Sequence, residues 1–269
     1  MRSWLLAGLL IFSLSSPAAT RIVSLAPFLT DIVIQLQAED RLVGVMDDHL
    51  IPSRLAHLPR VGGYRSLSLE SILAQRPDLV LGWSSGTDPQ TLAVIESWGV
   101  PVLRFDPQNL QQISDTVRQL GSVLDARSQA EQVIAGYEQA LDELAEPLNV
   151  ESPRVFIQIW DEPLYTVSGR QMISQVLNHC GATNIFDNLS GLAPQVSHES
   201  VLAANPDIIL LLGDNSRQPA RWREQWLRYP QLNATVSNRI HTLDSDQLVR
   251  PTPAILEGVA ALCAVVRAR

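Results

Sequence analysis

A fourteen-residue segment occurs twice in this chain. The run Ser68-Leu69-Glu70-Ser71-Ile72-Leu73-Ala74-Gln75-Arg76-Pro77-Asp78-Leu79-Val80-Leu81 returns as Ser197-His198-Glu199-Ser200-Val201-Leu202-Ala203-Ala204-Asn205-Pro206-Asp207-Ile208-Ile209-Leu210, with eight of fourteen positions identical at an offset of 129 residues. Its grammar is physical. A serine stands where it can cap a short helix. An acid follows in the first turn, where the helix dipole favours negative charge. Pro-Asp stops the helix, and an apolar strand comes next. Duplication of such a unit at half the chain length predicts two similar lobes that expose corresponding ends. Glu70 and Glu199 then hold equivalent places, which a receptor of two-fold form can grip together, for instance with arginines. On the residues alone a local role stands equally open, as dipole partners worth about 0.3–1 kcal/mol each.

Strand-like and helical runs alternate around the repeat, which argues for α/β architecture. Strands are expected over 21–25, 42–46, 79–82 and 102–105, then over 155–159, 165–167, 208–212 and 240–243. Helices are expected over 30–36, 69–75, 89–98 and 110–124, then over 171–180, 199–204 and 254–267. Between the halves, Ser128 to Glu146 carries no proline and one glycine. Its apolar residues Ala130, Val133, Ile134, Tyr137, Leu141 and Leu144 fall at helical intervals. Ser128 and Glu131 have capping-box spacing. This segment reads as a stiff helix joining two lobes.

The start of the chain reads as an export leader. Arg2 precedes an apolar run from Trp4 to Leu14, and small residues follow through Ala19, the layout of a cleavable signal. The run is too short to span a bilayer. Net charge is -8, and about -9 once Arg2 leaves with the leader. An acidic surface argues against nucleic-acid partners, which need Lys and Arg on phosphates. Cys180 and Cys263 form an even pair in an exported chain, which points to a disulfide worth roughly 4–5 kcal/mol over so long a loop. Spacing alone does not show that the sulfurs meet. No Gly-x-Ser-x-Gly, His-Glu-x-x-His, phosphate-loop or dinucleotide motif is present, so the reading is a binder and not an enzyme, with a hydrolytic enzyme, its groups brought together only by the fold, as the remoter alternative. Five scattered histidines argue against a bare-metal site.

Several segments carry a family resemblance. Arg21-Ile22-Val23-Ser24-Leu25-Ala26-Pro27, Leu42-Val43-Gly44-Val45 and the first repeat continuing into Gly82-Trp83 form one set. Val196-Ser197-His198-Glu199 and Ser245-Asp246-Gln247-Leu248-Val249-Arg250 extend it. Together they resemble the helical-backbone periplasmic binding proteins that serve ABC importers of metal chelates, most nearly the cobalamin-binding members, over nearly all of the chain after the leader. The resemblance implies two α/β lobes with central sheets joined by a long interdomain helix, the class III periplasmic binding fold. Its divisions are a signal peptide at 1–19, an N-terminal lobe at 20–127, the helix at 128–148 and a C-terminal lobe at 149–269.

The resemblance also implies a periplasmic monomer without a cofactor or resident metal. Cobalamin or a related corrinoid is the implied ligand, held between the lobes, and the placement of Cys180 and Cys263 matches the disulfide pair of the cobalamin-binding members. Glu70 and Glu199 would dock onto arginines of the membrane permease subunits. Residue by residue, Pro27, Tyr64, Trp83, Tyr165, Asp246 and Arg250 match ligand positions. Tyr64 stands where the corrinoid binders have tryptophan. Such a site suits a broad flat ring with amide arms: aromatic faces cover the ring, and Asp and Arg bond the arms. Two departures make this cleft less aromatic. Asp47-Asp48-His49-Leu50-Ile51-Pro52 replaces a tyrosine-bearing turn, and Ala193 replaces a tryptophan. Haem or a ferric siderophore is therefore the alternative ligand. Trp160, Asp161 and Phe28 are further lining candidates, while His49 and His198 read as solvated.

Overall fold

The computed structural model describes residues 19–64, 66–147, 149, 151–213 and 218–268. The leader expected over residues 1–19 lies, apart from Ala19, outside the described residues. Two four-stranded parallel sheets organise the rest. The first runs Leu42–Val45, Ile22–Ser24, Leu79–Trp83, Val102–Phe105 across its width. The second runs Thr183–Asn184, Arg154–Gln158, Ile208–Gly213, Ile240–Asp244. The order is the same in both. The strand that comes first in sequence lies inside, the second covers its outer edge, and the third and fourth follow on the other side.

Both sheets are buried on both faces, as parallel sheets must be. Successive side chains alternate between the faces. Ile22, Leu79 and Leu81 enter one cluster of the first lobe, and Val23, Leu25 and Val80 the other. In the second lobe Val155, Ile157, Ile208 and Leu210 face one cluster, and Phe156, Ile209 and Leu211 the other. That is why these strands read in sequence as unbroken apolar runs.

The repeat is repeated in its bonds. Ser71 N donates to Ser68 Oγ at 3.1 Å, and Ser200 N to Ser197 Oγ at 3.2 Å. The helices so capped are Leu69–Ala74 and His198–Ala204. Arg76 and Asn205 close them at φ 48° and 44°. The Asp of each Pro-Asp then clamps the neighbouring strand. Asp78 accepts from Arg21 N, and Asp207 from Arg154 N, both at 2.9 Å. The same arginines return guanidinium bonds to the helix ends, Arg21 to the Gln75 and Arg76 carbonyls and Arg154 to the Ala204 carbonyl.

The helix between the lobes runs Arg127–Leu144. Its cap is Ala126, without a side-chain bond, so Ser128 lies inside the first turn and the capping-box expectation fails. Ala130 and Ile134 are buried in the first-lobe core, and Tyr137 in the second. The helix Leu110–Val123 packs beside it with the opposite polarity. Leu110 and Ile113 belong to the second-lobe core, and Val117 and Leu120 to the first. Two helices, not one, therefore bridge the lobes. Tyr137 joins them by donating its hydroxyl to the Leu110 carbonyl at 3.0 Å.

Elements absent from the sequence expectation include the two-residue edge strand Thr183–Asn184, the helix Gln218–Trp226 and the short helices Asn233–Val236 and Asp246–Val249, and in place of the strand expected over 165–167 stands the hairpin strand Leu164–Tyr165. Cys180 and Cys263 form a disulfide with Cα atoms 4.8 Å apart, tying the end of the helix Met172–His179 to the helix Leu256–Arg267. Among the described residues no helix is long and apolar enough to cross a membrane.

Candidate functional site

In parallel α/β units the loops after the strands carry ligand sites. Here those loops from both lobes surround one cleft of about 860 Å³. Pro27 and Phe28 enter it from the helix Pro27–Gln35, which follows the first strand. Trp83 ends the third strand of the first sheet and reaches the same space. Tyr64 comes from the turn between the short strands Gly62–Gly63 and Ser66–Leu67. The three rings form an aromatic wall. Phe28 and Tyr64 stand edge-to-face with Trp83, at centroid separations of 5.9 and 6.1 Å. Trp83 Nε1 donates to Asp106 at 2.9 Å, which fixes the indole's orientation. Gly86 lies so close to that ring that a Cβ there would overlap it. Tyr64 is 61% exposed, and its hydroxyl has no hydrogen-bond partner among the described residues. Burial of part of the ring raises its pKa.

Among the described residues, the second lobe faces this wall without aromatics. Arg170, Gln171, Met172, Leu192, Asp246, Val249 and Arg250 line its side. The two lobes also meet in ion pairs. Arg250 Nη1 and Nη2 donate to Asp48 at 2.9 and 2.6 Å, and Nη1 reaches Asp31 at 3.2 Å. His49 Nε2 lies 3.0 Å from Asp246 Oδ2. Desolvation works to raise the pKa of Asp48, but the Arg250 bonds, the Leu50 amide and the guanidinium charge hold it below the ordinary carboxylate value. At Asp31 desolvation prevails over Arg250, and the pKa is raised.

The residues expected at the ligand fare unequally. Pro27, Tyr64, Trp83, Asp246 and Arg250 come together in the cleft. Tyr165 does not. It sits in the hairpin of Trp160–Asp161 and Leu164–Tyr165, paired with Trp160 and bridged to Gln195, and is not among the residues that line the cleft. Trp160 and Asp161 are likewise outside, whereas Phe28 is inside. His49 is a bridge to the opposite lobe, not merely a solvated residue, and His198 stacks on Trp226 at 5.2 Å. Arg60 and Arg170 line the cleft without any sequence signal. Among the described residues no group of three or more His, Cys, Asp or Glu side chains is arranged for a metal ion.

Glu70 and Glu199 are exposed in the first turns of their helices. Each helix enters its sheet unit from the end where the strands stop, so both acids lie toward the cleft end of their lobes. The carboxylate of Glu199 is held below its ordinary pKa by its own backbone amide and by Ser197. Leu69, Leu73, Ala74 and Trp98 form a shallow apolar groove around Glu70.

The family model described as periplasmic binding protein matches residues 22–247. The chain belongs to the periplasmic binding protein family. A vitamin B12-binding protein of Vibrio parahaemolyticus is 30% identical over 252 residues, covering 93% of this chain and 90% of the relative. The crystal structure of the periplasmic vitamin B12 binding protein of Vibrio cholerae superposes with a TM-score of 0.80 at 28% identity, covering 93% and 97% of the two chains. A periplasmic heme binding protein from Pseudomonas aeruginosa superposes with a TM-score of 0.76 at 27% identity, covering 92% of each chain. In this periplasmic binding protein the interlobe cleft is the place where the two wall types, aromatic and charged, converge.

Proposed function

We propose that the chain is the receptor of an ATP-driven importer, capturing a corrinoid between its lobes and passing it to a membrane permease. The observation that carries this reading is the single-sided aromatic wall of Phe28, Trp83 and Tyr64 in a cleft of about 860 Å³. That volume lies in the upper part of the range for small-molecule sites, which are largely apolar with a few placed polar groups. A flat ring covers the wall, and its arms meet the polar second-lobe side. The similarity to vitamin B12-binding relatives supports the same ligand. Binding, not turnover, is the activity, and the protein works as a monomer in the periplasm after its leader is removed. The lobes are divided at residues 20–127 and 149–269.

Cyanocobalamin titrated calorimetrically into the protein gives a one-to-one complex. Absence of heat beside clear binding of haem would overturn the corrinoid reading. Haem is the second reading, favoured by Tyr64, whose unpartnered phenol faces the cleft with the chemistry of an iron ligand. Delivery depends on Glu70 and Glu199, which present equivalent charges to the two halves of a dimeric permease. Glu70→Ala with Glu199→Ala leaves ligand affinity intact and impairs uptake in a reconstituted importer; unchanged uptake would reject the docking role.

A further inference from the structure

Part of the charge in the cleft is matched inside the protein. Asp48 is bonded to Arg250, and Asp246 to His49. Two guanidiniums are not matched. Arg60 lines the cleft from the first lobe, and its Nη1 is buried with no hydrogen-bond partner among the described residues. A buried donor in that condition is costly, and this guanidinium is committed to no internal acid among the described residues that would neutralise it. Its backbone is firmly held: Val45 N donates to the Pro59 carbonyl at 3.1 Å and Val61 N to the Val45 carbonyl at 3.0 Å. Arg170 lines the same cleft from the second lobe, and its guanidinium also has no partner among the described residues. Arg170, Gln171 and Met172 bring the start of the helix Met172–His179 to the cleft, and no side chain caps that end. The helix Pro27–Gln35 begins at the cleft too, again without a side-chain cap. Helix N-termini offer free N–H groups and partial positive charge. Against these stands Asp47, the lining acid without a partner among the described residues.

We infer that Arg60 and Arg170 form an anion-receiving subsite of the cleft, taking a phosphodiester or carboxylate carried at the edge of the chelate whose flat face lies on the aromatic wall. The inference rests on the reading of the cleft as a chelate site. Guanidinium is suited to the task, because its planar donors bind phosphate and carboxylate oxygens through charge-assisted bonds. Cobalamin carries such a phosphodiester in its nucleotide loop, and haem carries propionates.

The test compares each chelate with a form stripped of its anion. Cyanocobalamin is paired with dicyanocobinamide, which lacks the nucleotide loop, and haem with its dimethyl ester. Affinities are measured by calorimetry for the unmodified protein, Arg60→Gln and Arg170→Gln. For the chelate the unmodified protein binds, each variant weakens the anionic form by about 10-fold or more. The stripped form changes by less than about 2-fold. A response in the cobalamin pair assigns the subsite to the phosphodiester, and one in the haem pair assigns it to carboxylates. Arg170 is exposed, so its variant folds without difficulty, and thermal melting checks Arg60→Gln. Equal changes for anionic and stripped forms in Arg170→Gln would overturn the subsite. Binding of haem without cobalamin would sink the corrinoid reading while leaving the haem pair to decide the subsite. Binding of neither chelate pair would remove both.

Discussion

Arg250 is held by acids that lie 202 and 219 residues earlier in the chain, so its bonds join the lobes. Its two aspartates differ in sign. Asp48 has its folded pKa lowered, so its contribution to stability is present above the ordinary carboxylate value and is lost as pH falls through the folded value. Asp31 has its folded pKa raised, so its contribution is complete below the ordinary value and is lost as pH rises through the folded one. At pH 7 one acid supports the fold and the other strains it. Asp48→Asn is expected to lower stability by about 2 kcal/mol at pH 7, the scale of lost charge-assisted bonds. Asp31→Asn is expected to fall within about 1 kcal/mol of the unmodified protein, on the stabilising side. Urea unfolding at pH 7 and pH 3 checks both, and the Asp48→Asn deficit shrinks at the lower pH. Such pairing is hard to read from sequence. Asp246 and Arg250 stand four positions apart, yet each finds its partner in the opposite lobe, which no local spacing reveals. Arg60 and Arg170 sit in connecting segments with no periodicity, and nothing local marks them as lining residues. Tyr165 is the reverse case: the resemblance places it at the ligand, while in the fold it belongs to a hairpin and is not among the residues lining the cleft.

Elements were more legible where burial imposes a pattern. Ile208–Gly213 and Leu79–Trp83 are covered on both faces and read as apolar runs. Thr183–Asn184 is two residues long and polar, so the edge strand left no run to find. Gln218–Trp226 buries only Pro219, Trp222 and Trp226 at intervals of three and four, amid charged residues that mask the stripe. Caps were legible only when side-chain and backbone geometry agreed. Ser68 and Ser197 have extended backbone and accept from the third residue on. Ser128 has the same kind of spacing to an acid, yet it is already within the helix and exposed. Ser68→Ala and Ser197→Ala are each expected to cost about 1 kcal/mol. Ser128→Ala should stay within about 0.5 kcal/mol of the unmodified protein. Thermal unfolding of the three variants measures this directly. Equal losses at all three would mean that the bonds at Ser68 and Ser197 contribute nothing specific.

At the scale of the whole molecule, the duplicated lobes are joined by helices that belong to both cores. Leu110–Val123 and Arg127–Leu144 each send side chains into the first lobe and into the second. Relative rotation of the lobes must therefore disturb packed interiors, which are close-packed and resist continuous deformation. Small closure is the consequence: ligand binding should shift the interface backbone by about 1 Å or less, as in other pre-organised complexes, and leave the radius of gyration nearly unchanged. Gly136 lies between Ile134 in the first core and Tyr137 in the second, with nothing near enough to obstruct a Cβ. Gly136→Ala should therefore stabilise the protein by about 0.5–1 kcal/mol through helix propensity and reduced unfolded-state freedom. If the packed helices and not this glycine limit lobe movement, the variant leaves the ligand-induced change in radius of gyration as it was. Small-angle scattering with and without ligand decides it: a change of several ångströms in the unmodified protein, abolished by Gly136→Ala, would show that the spine bends at the glycine.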